Sequence, residues 1–472
     1  MLRTPFRSTH TTVLEALTRV DAQRRVGAIA TKPQPRSWLV GFVLMHLACQ
    51  VLLLIPALSS ARVLVRSAAF GVSLAFLVFT PSQGAWRTSL RTCALCIMGL
   101  LGLEFFHPDA SGLLAAFAAI MLDLAILAPI FWVPRMGITA RNLEALVTIL
   151  WLYYTMSAVL GVLQAYFPGQ FQPPLSAVLA ANSRDRLAAL EIQLASGVRV
   201  FRPMGLTDSP GGAAFGGLYA VLLGTGMLLT PKPAFRGARL LAIGGMVAGL
   251  MCLYLCQVRS LLVMAGVCVL TLLGLLLVSG RISRLVGLLG AVGAVIPAAF
   301  TLAIAIGGKS MTDRLATLVA ADPGTVYYAN RGIFLEKTLV RYLPQYPLGA
   351  GLGRYGMVNA YFGNPVDSLW VEIQWTGWLF DGGLPMMFLY LSAILIASWG
   401  CLKIARGRVG AAEPSLSLWG AVIVAYNVGT IAICFNYPLF GGTGGVEFWL
   451  LNMAVLCAAR EAEDRFAQTR FA

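Results

Sequence analysis

The chain has 472 residues, 58% hydrophobic and only 12% charged, with a mean hydropathy of +0.77. A water-soluble domain carries about 45–50% apolar and about 25% charged residues, so one water-facing core cannot enclose this much apolar side chain; a bilayer can. The net charge of +15 sits in short basic clusters between apolar runs, the pattern of a membrane protein rather than of a nucleic-acid binder.

Residues 1–36 hold seven Lys and Arg and lack the apolar core and cleavage site of a signal peptide. Leu14, Leu17 and Val20 at helical spacing beside Arg19, Arg24 and Arg25 predict a short amphipathic helix on the cytoplasmic leaflet. A membrane-crossing helix needs roughly 20 mostly apolar residues. Twelve stretches are candidates: 37–58, 63–79, 90–106, 112–133, 143–167, 211–229, 239–257, 260–279, 285–306, 383–401, 415–435 and 446–459, several of them short.

Charge orients them. Arg87/Arg91, Arg135/Arg141, Lys232/Arg236, Arg281/Arg284 and Lys403/Arg406/Arg408 fall in alternate connections, whereas 107–111 and 436–445 hold no Lys or Arg. Positive charge stays inside. The predicted fold is an all-α polytopic membrane protein with about 12 transmembrane helices, both termini cytoplasmic and two sizeable periplasmic loops. Arg62 alone sits awkwardly, on an outer connection. The organisation is a basic segment (1–36), N-terminal helices (37–167), a first large loop (168–210), central helices (211–306), a second large loop (307–382), C-terminal helices (383–459) and a cytoplasmic tail (460–472). Loops this long are functional or disordered; helical periodicity and aromatics predict that these two are folded.

Nearly all nine cysteines lie inside apolar runs and read as small packing residues. Cys93 and Cys96 have metal or redox spacing but no His or second pair beside them, and no metal or cofactor is expected.

Residues 331–343 (RGIFLEKTLVRYL) place Ile333, Phe334, Thr338, Leu339 and Tyr342 on one helical face and Arg331, Lys337 and Arg341 around the other. This is either an amphipathic helix on the membrane surface or one that presents Arg331 to a phosphate-bearing ligand. The stretch PLGAGLGRYG (347–356) is weak as a phosphate loop, because no strand precedes it, and reads as a tight turn. Asp367, in DSLWVE (367–372), is a helix N-cap or a residue of the kind that acts as base on a sugar hydroxyl. Arg259 opens a span, where it either snorkels to headgroups or meets a diphosphate beside the helix N-terminus. Arg202 heads RPMGLTDSP (202–210). Asp123 falls near mid-bilayer, where a carboxylate is functional by default or is paired with an inward Arg or a Tyr hydroxyl.

Four of these motifs, in order, give the chain a resemblance to the O-antigen ligase and O-antigen polymerase superfamily of bacterial envelope glycosyltransferases: RPMGLTDSPGGAA (202–214), Arg259-Ser260, Arg331 running to PLGAGLG (347–353), and DSLW through WTG (367–377). The resemblance covers roughly residues 201–390. It implies an inner-membrane enzyme that takes an undecaprenyl-diphosphate-linked oligosaccharide at the periplasmic face. It also implies that Arg259 and Arg331, with Arg202 and Arg314 as further candidates, hold the diphosphate. Ligases of the family usually carry a His where this chain has Val366. That departure favours polymerisation of repeat units over ligation to a lipid A core, and leaves Asp367 or Glu372 as the base. Membrane lipids, a flippase and a chain-length regulator are the implied partners. A flippase or transporter is the alternative of another class, and Asp123 is the feature it would claim. No internal repeat supports it, and the mass lies in two outer loops.

Overall fold

The computed structural model describes residues 37–80, 88–173, 190–193, 199–231, 236–256, 258–307, 322–409 and 413–471. Arg314, Lys232 and the amphipathic segment expected around Leu14 lie outside the described residues.

The architecture is almost entirely helical. The main helices are α1 (Ser37–Leu52), α2 (Arg62–Phe79), α3 (Ser89–Glu104), α4 (Leu113–Leu127), α5 (Ala140–Tyr166), α6 (Ala213–Leu229), α7 (Ala238–Cys256), α8 (Arg259–Val278), α9 (Ile282–Gly307), α10 (Gln374–Ala405), α11 (Pro414–Ile433) and α12 (Thr443–Phe471). Each falls on one of the apolar stretches. Among the described residues, seven are long and apolar enough to cross a membrane; an eighth is α4 if its continuation Pro129–Met136, bent by 41°, belongs to the same span. α1 and α6 are shorter apolar helices. The helix α11 is enclosed over 83% of its apolar window, against 17% for α2 and α9. The first is therefore the bundle's interior and the other two its flanks.

Close approach in the interior comes from small residues, as lipid gives helices no hydrophobic reason to associate. A Cβ on Gly217 of α6 would stand 2.6 Å from the carbonyl of Gly249, and one on Gly249 2.8 Å from that of Gly217. Polar pairs add direction. Asn427 of α11 and Asn452 of α12 exchange amide hydrogen bonds of 2.7 and 2.9 Å, both fully buried.

Three expectations need correction. The first large loop reads as helical, yet its described residues pair as two short antiparallel strands, Glu191–Gln193 and Arg199–Phe201. The helix expected from 331 to 343 has its stripe interrupted by π-helical turns at Tyr328–Gly332 and Lys337–Tyr342. A π turn rotates the following residues off a 3.6-residue face, and Thr338 is buried while Leu339 is 48% exposed. Finally, α10 starts at Gln374 with Ile373 at its N-cap, so Asp367 does not cap it; Asp367 belongs to a separate 3-10 turn, Pro365–Asp367.

α10 breaks at Gly382–Gly383, and the break is filled. In an unbroken helix the amide of Leu384 would donate to the carbonyl of Phe380. Here Leu384 donates to the carbonyl of Pro347 (2.9 Å), and Phe380 accepts from the amide of Ala350 (2.8 Å). The glycine stretch inserts into the helix and satisfies both stranded groups, which a lipid environment demands. Gly383 (φ +66°, ψ −155°) adopts a conformation open to glycine alone, and a Cβ there would lie 2.1 Å from the Pro347 oxygen. The reading of 347–356 as a turn thus acquires a partner.

Candidate functional site

The fold brings Arg202, Arg331 and Glu372 together. Residues 202–210 leave strand Arg199–Phe201 and enter α6, held by the Arg202 amide donating to the Leu190 carbonyl (2.7 Å) and by the Tyr153 hydroxyl donating to the Leu206 carbonyl (2.9 Å). Gln164 of α5 grips Gly205 from both sides, accepting from its amide (2.7 Å) and donating to its carbonyl (3.3 Å). Arg202 then lies over Gly211: a Cβ at this glycine (φ +75°) would meet Arg202 Nε at 3.0 Å, Arg202 Nη2 at 3.1 Å and Val258 Cγ2 at 3.2 Å. Val258 immediately precedes Arg259, the first residue of α8, which is half-buried.

Arg331 Nη1 lies 2.5 Å from Glu372 Oε2, and Trp370 Nε1 donates to Glu372 Oε1 (3.0 Å). Arg202 senses both members of that pair. Burial presses its guanidinium below the usual arginine range, and the Arg331 charge presses in the same direction, while Cys256, Tyr437 and Glu372 oppose. A guanidinium short of solvent and near a second cation is stabilised by an anion beside it. Burial raises the Tyr437 hydroxyl and the nearby Arg202 charge lowers it. Arg202 is therefore the common neighbour of the α8 entrance and the Arg331–Glu372 pair.

Asp367 stands apart. It is exposed, accepts from Asn364 Nδ2 (2.8 Å), and its carbonyl accepts from Arg354 Nε (3.4 Å). Val366 is 89% exposed. Of the two candidate bases, Glu372 is the one whose carboxylate ion-pairs with an arginine among the described residues.

Asp123 lines an internal cavity of about 40 Å³ together with Tyr355, Gln374, Trp378 and Asp381. Its Oδ1 accepts from the Tyr390 hydroxyl at 3.1 Å, the tyrosine pairing that the sequence left open. Asp381 accepts from the hydroxyl of Tyr355. This polar centre holds the broken helix α10 against α4; it is separate from the arginines.

Sequence reasoning missed Asp208, which ion-pairs with Arg62 and Arg66 of α2. The signal was present in the awkward placement of Arg62. It also missed Glu447, buried in α12, which accepts from the Tyr154 hydroxyl (2.5 Å) and lies 3.6 Å from His46 Nε2. A carboxylate at the second position of the apolar stretch 446–459 could have pointed to it. Among the described residues no group of three or more His, Cys, Asp or Glu is placed to hold a metal ion, and the described cysteines are free thiols.

No protein-family model matches this chain, and no curated protein matches it.

Proposed function

We propose that the chain is a glycosyltransferase of the bacterial inner membrane that polymerises oligosaccharide repeat units carried on undecaprenyl diphosphate, with its site open to the periplasm. The observation that carries this reading is the Arg331–Glu372 ion pair with the half-buried Arg202 near enough to feel both charges, and with Arg202 packed at Gly211 beside Val258, the residue before Arg259. Supporting it, each of the four motifs of the family resemblance contributes one residue at or beside this point, Arg202, Arg259, Arg331 and Glu372, although Asp367 and 347–350 lie elsewhere. Among the described residues seven or eight helices are long and apolar enough to cross a membrane, and the topology expected from the charge pattern, with both termini in the cytoplasm, would set 202–210, 258–259, 331 and 372 on the outer side.

The chemistry follows from the residue types. The acceptor hydroxyl attacks the anomeric carbon of the donor sugar, and the bond from that carbon to the diphosphate oxygen breaks. The electron pair leaves with the lipid diphosphate, whose growing charge Arg202 and Arg331 stabilise, with Arg259 at the helix N-terminus beside them. Arginine serves because its planar fork matches phosphate oxygens and never loses its charge. The hydroxyl proton passes to Glu372, whose carboxylate the diphosphate displaces from Arg331. No nucleotide sugar enters, and a chain-length regulator and a flippase would act before and beside it.

Incubating the purified protein with a lipid-diphosphate oligosaccharide tests the reading. A ladder of products supports polymerisation, a single transfer to a lipid A core would make it a ligase, and translocation without new glycosidic bonds would make it a transporter.

A further inference from the structure

We infer that Arg62 and Arg66 form a second anion subsite, which takes the diphosphate of the acceptor; the inference rests on the polymerase reading above. A polymerase joins two substrates that each carry a lipid diphosphate, whereas transfer to a neutral acceptor needs only one such site.

Arg62 and Arg66 stand one turn apart on the same face of α2. Both guanidiniums converge on one oxygen of Asp208: Arg62 Nη2 lies 2.5 Å from Oδ2, and Arg66 Nη2 contacts the same atom. Two positive charges thus share one negative charge, and no second carboxylate pairs with them among the described residues. The three side chains are largely enclosed, with relative exposures of 13%, 18% and 6%. An enclosed surplus of positive charge is costly unless an anion meets it.

Each guanidinium has five N–H donors. The contacts seen use two on each: Arg62 also donates to the Leu53 carbonyl, and Arg66 to the Met357 sulfur. Donors remain for phosphate oxygens.

The placement is the second half of the argument. Asp208 belongs to the same nine-residue stretch as Arg202, six residues on, so the two Cα atoms stand at most about 20 Å apart. One short segment therefore touches both arginine centres, with Arg202 in the first and Asp208 in the second. Two lipid diphosphates held at these centres would bring donor sugar and acceptor glycan into one space. The cationic residue that violates the charge pattern of short outer connections, Arg62, acquires a purpose.

The test compares acceptors. A labelled lipid-diphosphate repeat unit serves as donor, and the same repeat unit serves as acceptor on either a short prenyl diphosphate or a neutral alkyl glycoside. The expected result is a KM for the diphosphate acceptor about tenfold or more below that of the neutral one, the scale of a lost charged hydrogen bond. Arg66→Ala should erase this difference and leave the KM for donor unchanged, while Arg66→Lys, which keeps the charge but not the fork, should fall between. Arg66→Gln takes the place of the Ala variant if that protein does not fold. Equal use of both acceptors by the native protein overturns the subsite and leaves glycosyl transfer standing. An equal loss with both acceptors in the Arg66 variants makes the residue structural and also overturns it. Absence of transfer from the donor to either acceptor overturns the polymerase reading itself.

Discussion

Arg331 Nη1 and Glu372 Oε2 are 2.5 Å apart, so the cation assigned to the diphosphate and the carboxylate assigned to the acceptor hydroxyl share one ion pair. On the proposed reading, a diphosphate that takes the Arg331 Nη1 donor displaces Glu372 from it, and the displaced carboxylate is one able to accept a proton. In the proposed mechanism, donor binding and base activation are thereby linked through a single contact.

Glu372→Gln separates the two roles. General-base removal costs about 10²–10⁴ in rate, so single-turnover transfer should fall by that amount. Donor affinity should hold or rise, because the neutral amide competes less for Arg331. Weaker donor binding with an unchanged transfer rate would make Glu372 a positioning residue only.

Gly211→Ala should injure the site without dismantling the bundle. The residue has φ +75°, and its Cβ would meet the Arg202 guanidinium at 3.0 Å. A displacement near 1 Å at a catalytic group costs about 10²-fold. The expected outcome is a large loss of transfer in a protein that still elutes as the native species in detergent.

The break in α10 gives a stability prediction with an internal control. Gly383→Ala places a Cβ 2.1 Å from the Pro347 oxygen in a glycine-only conformation and should cost about 3 kcal/mol or more, seen as lost yield and a lowered Tm. Gly280→Ala also sits at positive φ (+65°) but has nothing within 4 Å, so its cost should be about 1 kcal/mol. Equal effects would mean that backbone conformation alone, and not the inserted stretch 347–350, governs the break.

Asn427→Leu leaves Asn452 with half its hydrogen bonds in the interior of the bundle. Interhelical polar contacts in membranes are worth about 0.6–2 kcal/mol, and the single variant should lose that much in a detergent unfolding titration. The double variant Asn427→Leu/Asn452→Leu should recover part of the loss, since the two residues are each other's partner.

How much of this was legible in the sequence divides by range. The apolar stretches became helices because each contains its own signal; the marginal 446–459 is the apolar part of α12. Relationships between distant segments were not legible. Nothing in the local pattern of 347–350 shows that it fills the gap at Phe380 and Leu384, because the missing hydrogen bonds belong to another helix. Thr338 read as part of an apolar stripe and is instead buried against the Thr376 hydroxyl at 2.5 Å, with a π turn setting its direction. At the site, Arg202 and Arg331 were legible as types, and Glu372 as one of two candidate bases. That Arg202 neighbours Val258 and lies near the Arg331–Glu372 pair was not, since these parts are dozens to more than a hundred residues away along the chain.

The most direct measurement is the affinity of the purified protein for undecaprenyl diphosphate and for undecaprenyl monophosphate at one fixed salt concentration, in the native chain and in Arg331→Gln. The account predicts that the native protein favours the diphosphate by about tenfold or more, and that Arg331→Gln abolishes the preference. Equal affinity for both lipids in the native protein, or a preference that survives the substitution, would contradict it.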